Sequence, residues 1–237
     1  MIGMPGSQLR IASYNIRKAR GLDQKRKPER TLEVINSLEA DVVVLQEADK
    51  RLGVRKPALP RAMIEAETDF ELLDASKNGV SLGWHGNAVL VRNTIAARAV
   101  DQIDLPGTEP RGALKVRLSN GLSIVATHLG LRRKDRRAQL SVLRMMTESD
   151  GPTVIAGDFN EWSNARGLEP LADRFETFAP GRSFHSRRPM AALDRFALSA
   201  GVELRDGGVE EGVLARIASD HLPIWSDITL SQPNTTC

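Results

Sequence analysis

An α/β fold is the class this sequence predicts, and three observations predict it. Leu9 to Ile16 alternates as a strand, Thr31 to Glu39 carries Leu32, Ile35 and Leu38 at helical spacing, and Ala40 to Glu47 is a second apolar run. Strand, helix, strand in that order is the local signature of α/β architecture. Asn120-Gly121 between two strand-like runs then signals a hairpin, so antiparallel pairing is expected as well.

Each element has its own reason. Pro28 suits a first helical turn, because its missing N–H would have no partner there. Arg61 to Ala66 reads as a short helix between Pro60 and Phe70. Residues 86–92 and 96–105 read as successive strands about a turn at Asn93 and Thr94. The charged run Arg132 to Gln139 continues into a helix that would cover the sheet, and residues 163–175 read as loop and short helix. Thr153 to Ala156 is a buried strand; Gly157 is expected to let the chain turn out of the core, and a continued strand would point Asp158 and Asn160 the same way. Leu193 to Gly201 is another strand, with Asp194 near its start. Val202 to Ala218, rich in glycine, reads as irregular before the closing SDHLPIWSDITL.

Composition narrows the class. Hydrophobic content of 41% in 237 residues supports a sizeable core, and nothing resembles a linker, so residues 9–230 read as one domain behind a flexible arm of residues 1–8. The only cysteine, Cys237, excludes an internal disulfide framework or a zinc–thiolate centre. No apolar run is long enough for a membrane helix and no export signal is evident, so a cytoplasmic monomer is expected. A formal charge of +3 permits an anionic substrate without naming one.

The apolar runs repeatedly end in a polar group: Asn15, Glu47, His128, Asp158 with Asn160, and Asp220 with His221. Such groups are costly to bury unless paired or metal-bound. Carboxylates, amides and imidazoles without a thiolate suit Mg²⁺, with Mn²⁺ as a substitute, and such an ion could neutralise a phosphate and organise water.

SYNI with Asn15, LQE with Glu47, THLG with His128, GDFN with Asp158 and Asn160, LDR with Asp194, and SDH with Asp220 and His221 appear in the order that resembles the endonuclease/exonuclease/phosphatase superfamily. The resemblance covers residues 9–230 and implies a four-layer αββα sandwich, two mixed β-sheets between helices, hydrolysing phosphoesters with Mg²⁺. It also implies roles. Glu47 is the principal metal ligand, with Asn15 orienting it or supplying a second metal contact, and Asp220 is another metal-side carboxylate. Asp158 orients or deprotonates water, and Asn160 holds a phosphoryl oxygen or the nucleophile. His221, held by Asp194, contacts the scissile phosphate, and His128 makes a second contact. Arg111, in EPRGAL, is a further phosphate-binding candidate through its bidentate guanidinium.

Two basic clusters follow strands that carry these residues. One spans Arg17, Lys18, Arg20 and Lys25 to Lys27; the other holds Arg132, Arg133, Lys134, Arg136 and Arg137. Both are expected to meet an extended anionic substrate. Hydrolysis of phosphodiester bonds by an endonuclease, exonuclease or related phosphodiesterase leads, although aromatic residues make up only 4% of the chain, leaving Trp84 and Trp162 as candidate rim residues for stacking. Small-molecule or inositol phosphates and anionic lipid headgroups are the enzymatic alternatives, and a phosphate-binding interaction module is the non-enzymatic one.

Overall fold

The computed structural model describes residues 8–50, 53–164 and 166–231, so Cys237 and all but the last residue of the expected arm lie outside it. The chain begins with β1 (Leu9–Asn15), β2 (Val42–Gln46), β3 (Phe70–Leu72) and β4 (Ala88–Arg92). It then builds β5 (Ala97–Leu105), β6 (Arg111–Leu118), β7 (Ser123–His128), β8 (Thr153–Asp158), β9 (Phe175–Phe178) and β10 (Asp194–Ser199), and returns for β11 (Val202–Val209) and β12 (Ile224–Leu230). The helices are α1 (Pro28–Ser37), α2 (Arg61–Glu67), α3 (Arg133–Met146) and α4 (Ala215–Ala218). Two six-stranded sheets result, ordered β11-β12-β1-β2-β4-β3 and β5-β6-β7-β8-β10-β9. Each contains one parallel pair, β1 with β2 and β7 with β8, among antiparallel neighbours, so both are mixed.

The layers follow from strand alternation. On β2, Val43 and Leu45 face outward and pack with Leu32 and Ile35 of α1 and Ile64 of α2. Val42 and Val44 face inward and share a cluster with Leu114, Ile124, Ala126 and Val154 of the other sheet. Val125 and Ile155 point out of that sheet toward Leu140 and Leu143 of α3. The order is therefore helix, sheet, sheet, helix. Each fully buried aliphatic side chain contributes roughly 1.5–3 kcal/mol.

Some expectations change. Residues 88–92 and 97–105 flank the expected turn but do not pair: β4 lies in one sheet and β5 in the other, where it pairs with β6. The chain crosses between sheets there, and among the described residues β5 takes its strand partner from β6. Val202–Val209 is a strand, not an irregular stretch. Its pairing with β12 is interrupted between Leu204 and Asp206, and Gly208 lies so close to Trp225 that a Cβ would sit 2.7 Å from the indole. Gly208 thus makes room for a ring, which local sequence cannot show. The short strands β3 and β9 also lack a local signal. Residues 169–171 form only a single 3₁₀ turn.

Gly157 does not turn the chain out of the core. It is the fifth residue of β8, and a Cβ there would lie 1.8 Å from the Thr127 carbonyl oxygen on parallel β7. Gly157→Ala should therefore cost more than about 3 kcal/mol by forcing β7 and β8 apart. Chemical denaturation should show it as a fall in transition midpoint.

Candidate active site

The strand ends bring the polar residues together from both sheets. In the second sheet the register pairs His128 with Asp158 across β7 and β8, and Asp158 with Asp194 across β8 and β10. Three titratable side chains thus lie in one transverse row. In the first sheet Asn15 pairs with Gln46, which places Glu47 just beyond the same rim.

Asp158 is where the two rims meet. Its Oδ2 accepts a hydrogen bond from Asn15 Nδ2 at 3.1 Å and lies 3.4 Å from His128 Nε2 and 3.7 Å from His221 Nε2. Its Oδ1 accepts the Asn160 N–H at 2.9 Å. Burial pushes the Asp158 carboxyl up to about 6, against the opposing pull of the His221 charge. On the far side, His221 Nδ1 lies 2.7 Å from Asp194 Oδ2. Burial alone would lower the His221 pKa, but Asp194 and Asp158 outweigh it and push the imidazole up to about 10. The ring is therefore cationic at neutral pH, with Nε2 aimed at Asp158. The Ser183 hydroxyl also donates to Asp194 Oδ2.

The chain after β8 is not extended. Asn160 has a positive φ of 50°, and its Nδ2 donates to the Leu129 carbonyl at 2.9 Å, so Asp158 and Asn160 are not two residues on one strand face. Positive φ at non-glycine residues recurs around the cleft, at Arg17, Lys18, Ala19, Glu47 and His85. Each costs about 1–3 kcal/mol and persists only where surrounding contacts impose it. One such contact is the Lys18 N–H bond to the Glu47 carbonyl at 3.1 Å.

The carboxylates assigned to the metal each face a cation of the first basic cluster. Lys18 Nζ pairs with Glu47, and Arg17 Nε lies 3.1 Å from Asp220 Oδ2. A separate cluster, Asp158, Asp194 and His221, offers ligand atoms all within 4.8 Å of one another and is geometrically able to hold a divalent metal. Arg111 reaches the site: it lines a 60 Å³ pocket with Glu47 and His128, while its guanidinium pairs with Glu109 at 2.9 Å. A larger open groove of 690 Å³ beside Phe175 and Leu198 contains none of these residues.

The second basic cluster differs from the expected substrate loop. Arg133, Arg136 and Arg137 belong to the first turns of α3, and each is paired with a carboxylate. Arg133 and Arg136 hold the two oxygens of buried Glu161 at 2.9 and 2.7 Å, and Arg137 binds Glu169 at 2.7 Å. Arg136 is itself buried and also donates to the Leu131 carbonyl, so its guanidinium is committed to the fold. Arg132 is exposed. Glu161 and Ser183 belong to none of the sequence motifs. The position of Glu161 directly after Asn160 is the one signal it carries, whereas Ser183 carries none.

The Endonuclease/Exonuclease/phosphatase family model matches residues 12–221, and the chain belongs to that family. It is accordingly a metal-dependent phosphoesterase of the phosphodiesterase and nuclease type. The chain is 29% identical over 220 residues to the uncharacterized protein YbhP of Escherichia coli K12, covering 84% of this chain and 87% of that one. The fold is similar to that of a conserved Enterococcus faecalis V583 protein of unknown function, with a TM-score of 0.77, 18% identity, and coverage of 94% of this chain and 100% of that one. A D. rerio TDP2 complexed with single strand DNA product matches with a TM-score of 0.68 and 19% identity, over 94% of this chain and 99% of the other. Among the described residues no helix is long and apolar enough to cross a membrane.

Burial would raise the Glu161 carboxyl, but Arg133 and Arg136 hold it down at about 2, below its ordinary 4.5. A depressed carboxylate stabilises the fold fully above its unfolded value. That contribution is lost as pH falls from about 4.5 through about 2. Glu161→Ala should cost about 3–5 kcal/mol at neutral pH, since it leaves Arg136 buried without its partner. Thermal unfolding of the variant should also show a weaker loss of stability over that acid window than the wild type.

Proposed function

We propose that the protein is a Mg²⁺- or Mn²⁺-dependent phosphodiesterase acting on nucleic acid or a related anionic diester, with water as the attacking group. The observation that carries this reading is the convergence of Asn15, His128 and His221 on buried Asp158, backed by Asp194. Glu47, Asn15 and Asp220 would hold the metal. Supporting this are the Asn15–Gln46 register, which brings Glu47 beside β1, and the Arg17–Asp220 pair two residues beyond Asn15. Glu47 and Asp220 both already hold a cationic side chain, and their all-oxygen donor set fits a hard divalent ion. By contrast, in the Asp158–Asp194–His221 cluster both carboxylates keep the imidazole protonated, so a metal there would have to displace that proton. When bound, the ion would supply charge neutralisation at the phosphoryl group.

The chain's own groups account for the rest. Asp158 has a pKa raised to about 6 and two fixed donors, so it is suited to receive a proton from attacking water. Cationic His221, oriented by Asp194, would donate to the phosphoryl oxygens as their charge develops. His128 and Asn160 would border the same oxygens, and Arg111 would contact a neighbouring phosphate. Small-molecule phosphoesters and anionic lipid headgroups are the competing substrates. The cytoplasmic setting and monomeric state expected from sequence form part of this proposal.

A panel of single- and double-stranded DNA, RNA, bis-p-nitrophenyl phosphate, inositol phosphates and phospholipids, with and without Mg²⁺ or Mn²⁺, tests the reading. Metal-dependent cleavage of diesters is expected, lost in Glu47→Gln with an unchanged circular dichroism spectrum. Turnover confined to monoesters would overturn it.

The His221–Asp194 contact makes a separate prediction. His221→Ala and Asp194→Asn should each lower kcat, the first with little change in KM. The double variant should be far less impaired than the sum of both free-energy losses. Additive losses in folded variants would show that the two act independently.

A further inference from the structure

The loop after β8 carries a large ring that the fold does not bury. Trp162 is 64% exposed, although it stands two residues beyond Asn160. Its ring meets Phe184 edge-on at a centroid distance of 6.2 Å, and Phe184 lies 5.0 Å from the His221 ring. An aromatic ladder therefore runs from the phosphate-facing imidazole to the surface.

The backbone under this ring is held with unusual firmness. The buried Arg195 guanidinium donates to the carbonyls on either side of Trp162, Glu161 O at 3.0 Å and Ser163 O at 3.2 Å, and to Asn164 Oδ1 at 2.9 Å. The Glu161 side chain is gripped from the other direction by Arg133 and Arg136, and it accepts the Ser163 N–H at 3.0 Å. Three arginines thus fix the residues flanking an indole that contributes little to the core. Burying charge for this purpose is costly, and a rigidly presented aromatic surface is what binding requires. Arg187 and Arg188, on the turn after Phe184, are exposed and have no carboxylate partner among the described residues. Ring and cations together match a nucleotide unit better than an acyl chain, since a base stacks while its phosphates meet guanidinium groups.

We propose that Trp162 is the stacking surface for a nucleobase adjoining the scissile phosphate, and so determines specificity for nucleic-acid diesters. Glu161, Arg133, Arg136 and Arg195 act through it as positioning residues. This deepens the phosphodiesterase reading and rests on it for the identity of the neighbouring phosphate.

The test compares adenosine 5′-monophosphate with ribose 5-phosphate, by calorimetric binding to the full chain without turnover. Wild type should bind the nucleotide roughly five- to a hundredfold more tightly, the range expected of one base–aromatic stack. In Trp162→Ala the two affinities should converge while that for ribose 5-phosphate stays unchanged, and Trp162→Phe should restore much of the difference. Because the indole is exposed, folding of these variants can be confirmed by circular dichroism. Nucleotide binding no tighter than ribose 5-phosphate, including no binding of either, overturns the proposal. So does a preference that survives Trp162→Ala. Trp162-dependent binding to phosphatidylglycerol vesicles without a base preference would assign the ring to a lipid surface instead. A base preference that depends on Trp162, in a protein that cleaves no diester, would sink the catalytic reading alone. Diester cleavage without such a preference would sink the stacking role alone.

Discussion

Asp158 Oδ2 collects an amide from β1, an imidazole from β7 and a second imidazole from the approach to β12, all onto one buried carboxylate. That convergence requires both sheets to end at the same height. It also explains why the mixed topology matters: β1 and β2 run parallel, as do β7 and β8, so Asn15, Glu47, His128 and Asp158 emerge at one rim. A slip of one residue in either parallel pair would turn these groups to the opposite face. Gly157 protects the register from below, because only a missing Cβ lets β8 lie this close to Thr127.

The same carboxylate sets the electrostatics. Asp158 and Asp194 face His221 from two sides, so the imidazole is held cationic, while burial raises the Asp158 carboxyl to about 6. Two acids and one base in mutual contact separate into a group suited to take a proton and one suited to bind developing charge. Around them, left-handed backbone at Arg17, Lys18, Glu47 and Asn160 is the cost of bending the connecting loops over the rim.

Charge serves two separate ends in this chain. Arg17 and Lys18 lie on the carboxylates of the first sheet's rim, directly at the cleft. Arg133 and Arg136, equally basic in sequence, turn inward to Glu161 and stabilise the loop that follows β8. The difference is one of depth. A helix packed against its sheet by Leu140 and Leu143 brings its first turn down to a buried carboxylate.

Local sequence determined much of this protein. Alternation marked β1, continuous apolar runs marked β2 and β8, Asn120-Gly121 marked the turn between β6 and β7, and the polar residue at the end of each run marked the rim. These are short-range properties, carried by a few adjacent side chains. What lay beyond its reach depends on partners distant in the chain. β11 is a strand because β12 pairs with it, and Gly208 is there because Trp225 packs on it. Arg136 is structural because Glu161, 25 residues later, folds beneath it. Asn15 binds Asp158 across a separation of 143 residues, a contact that only the packing of one sheet on the other creates.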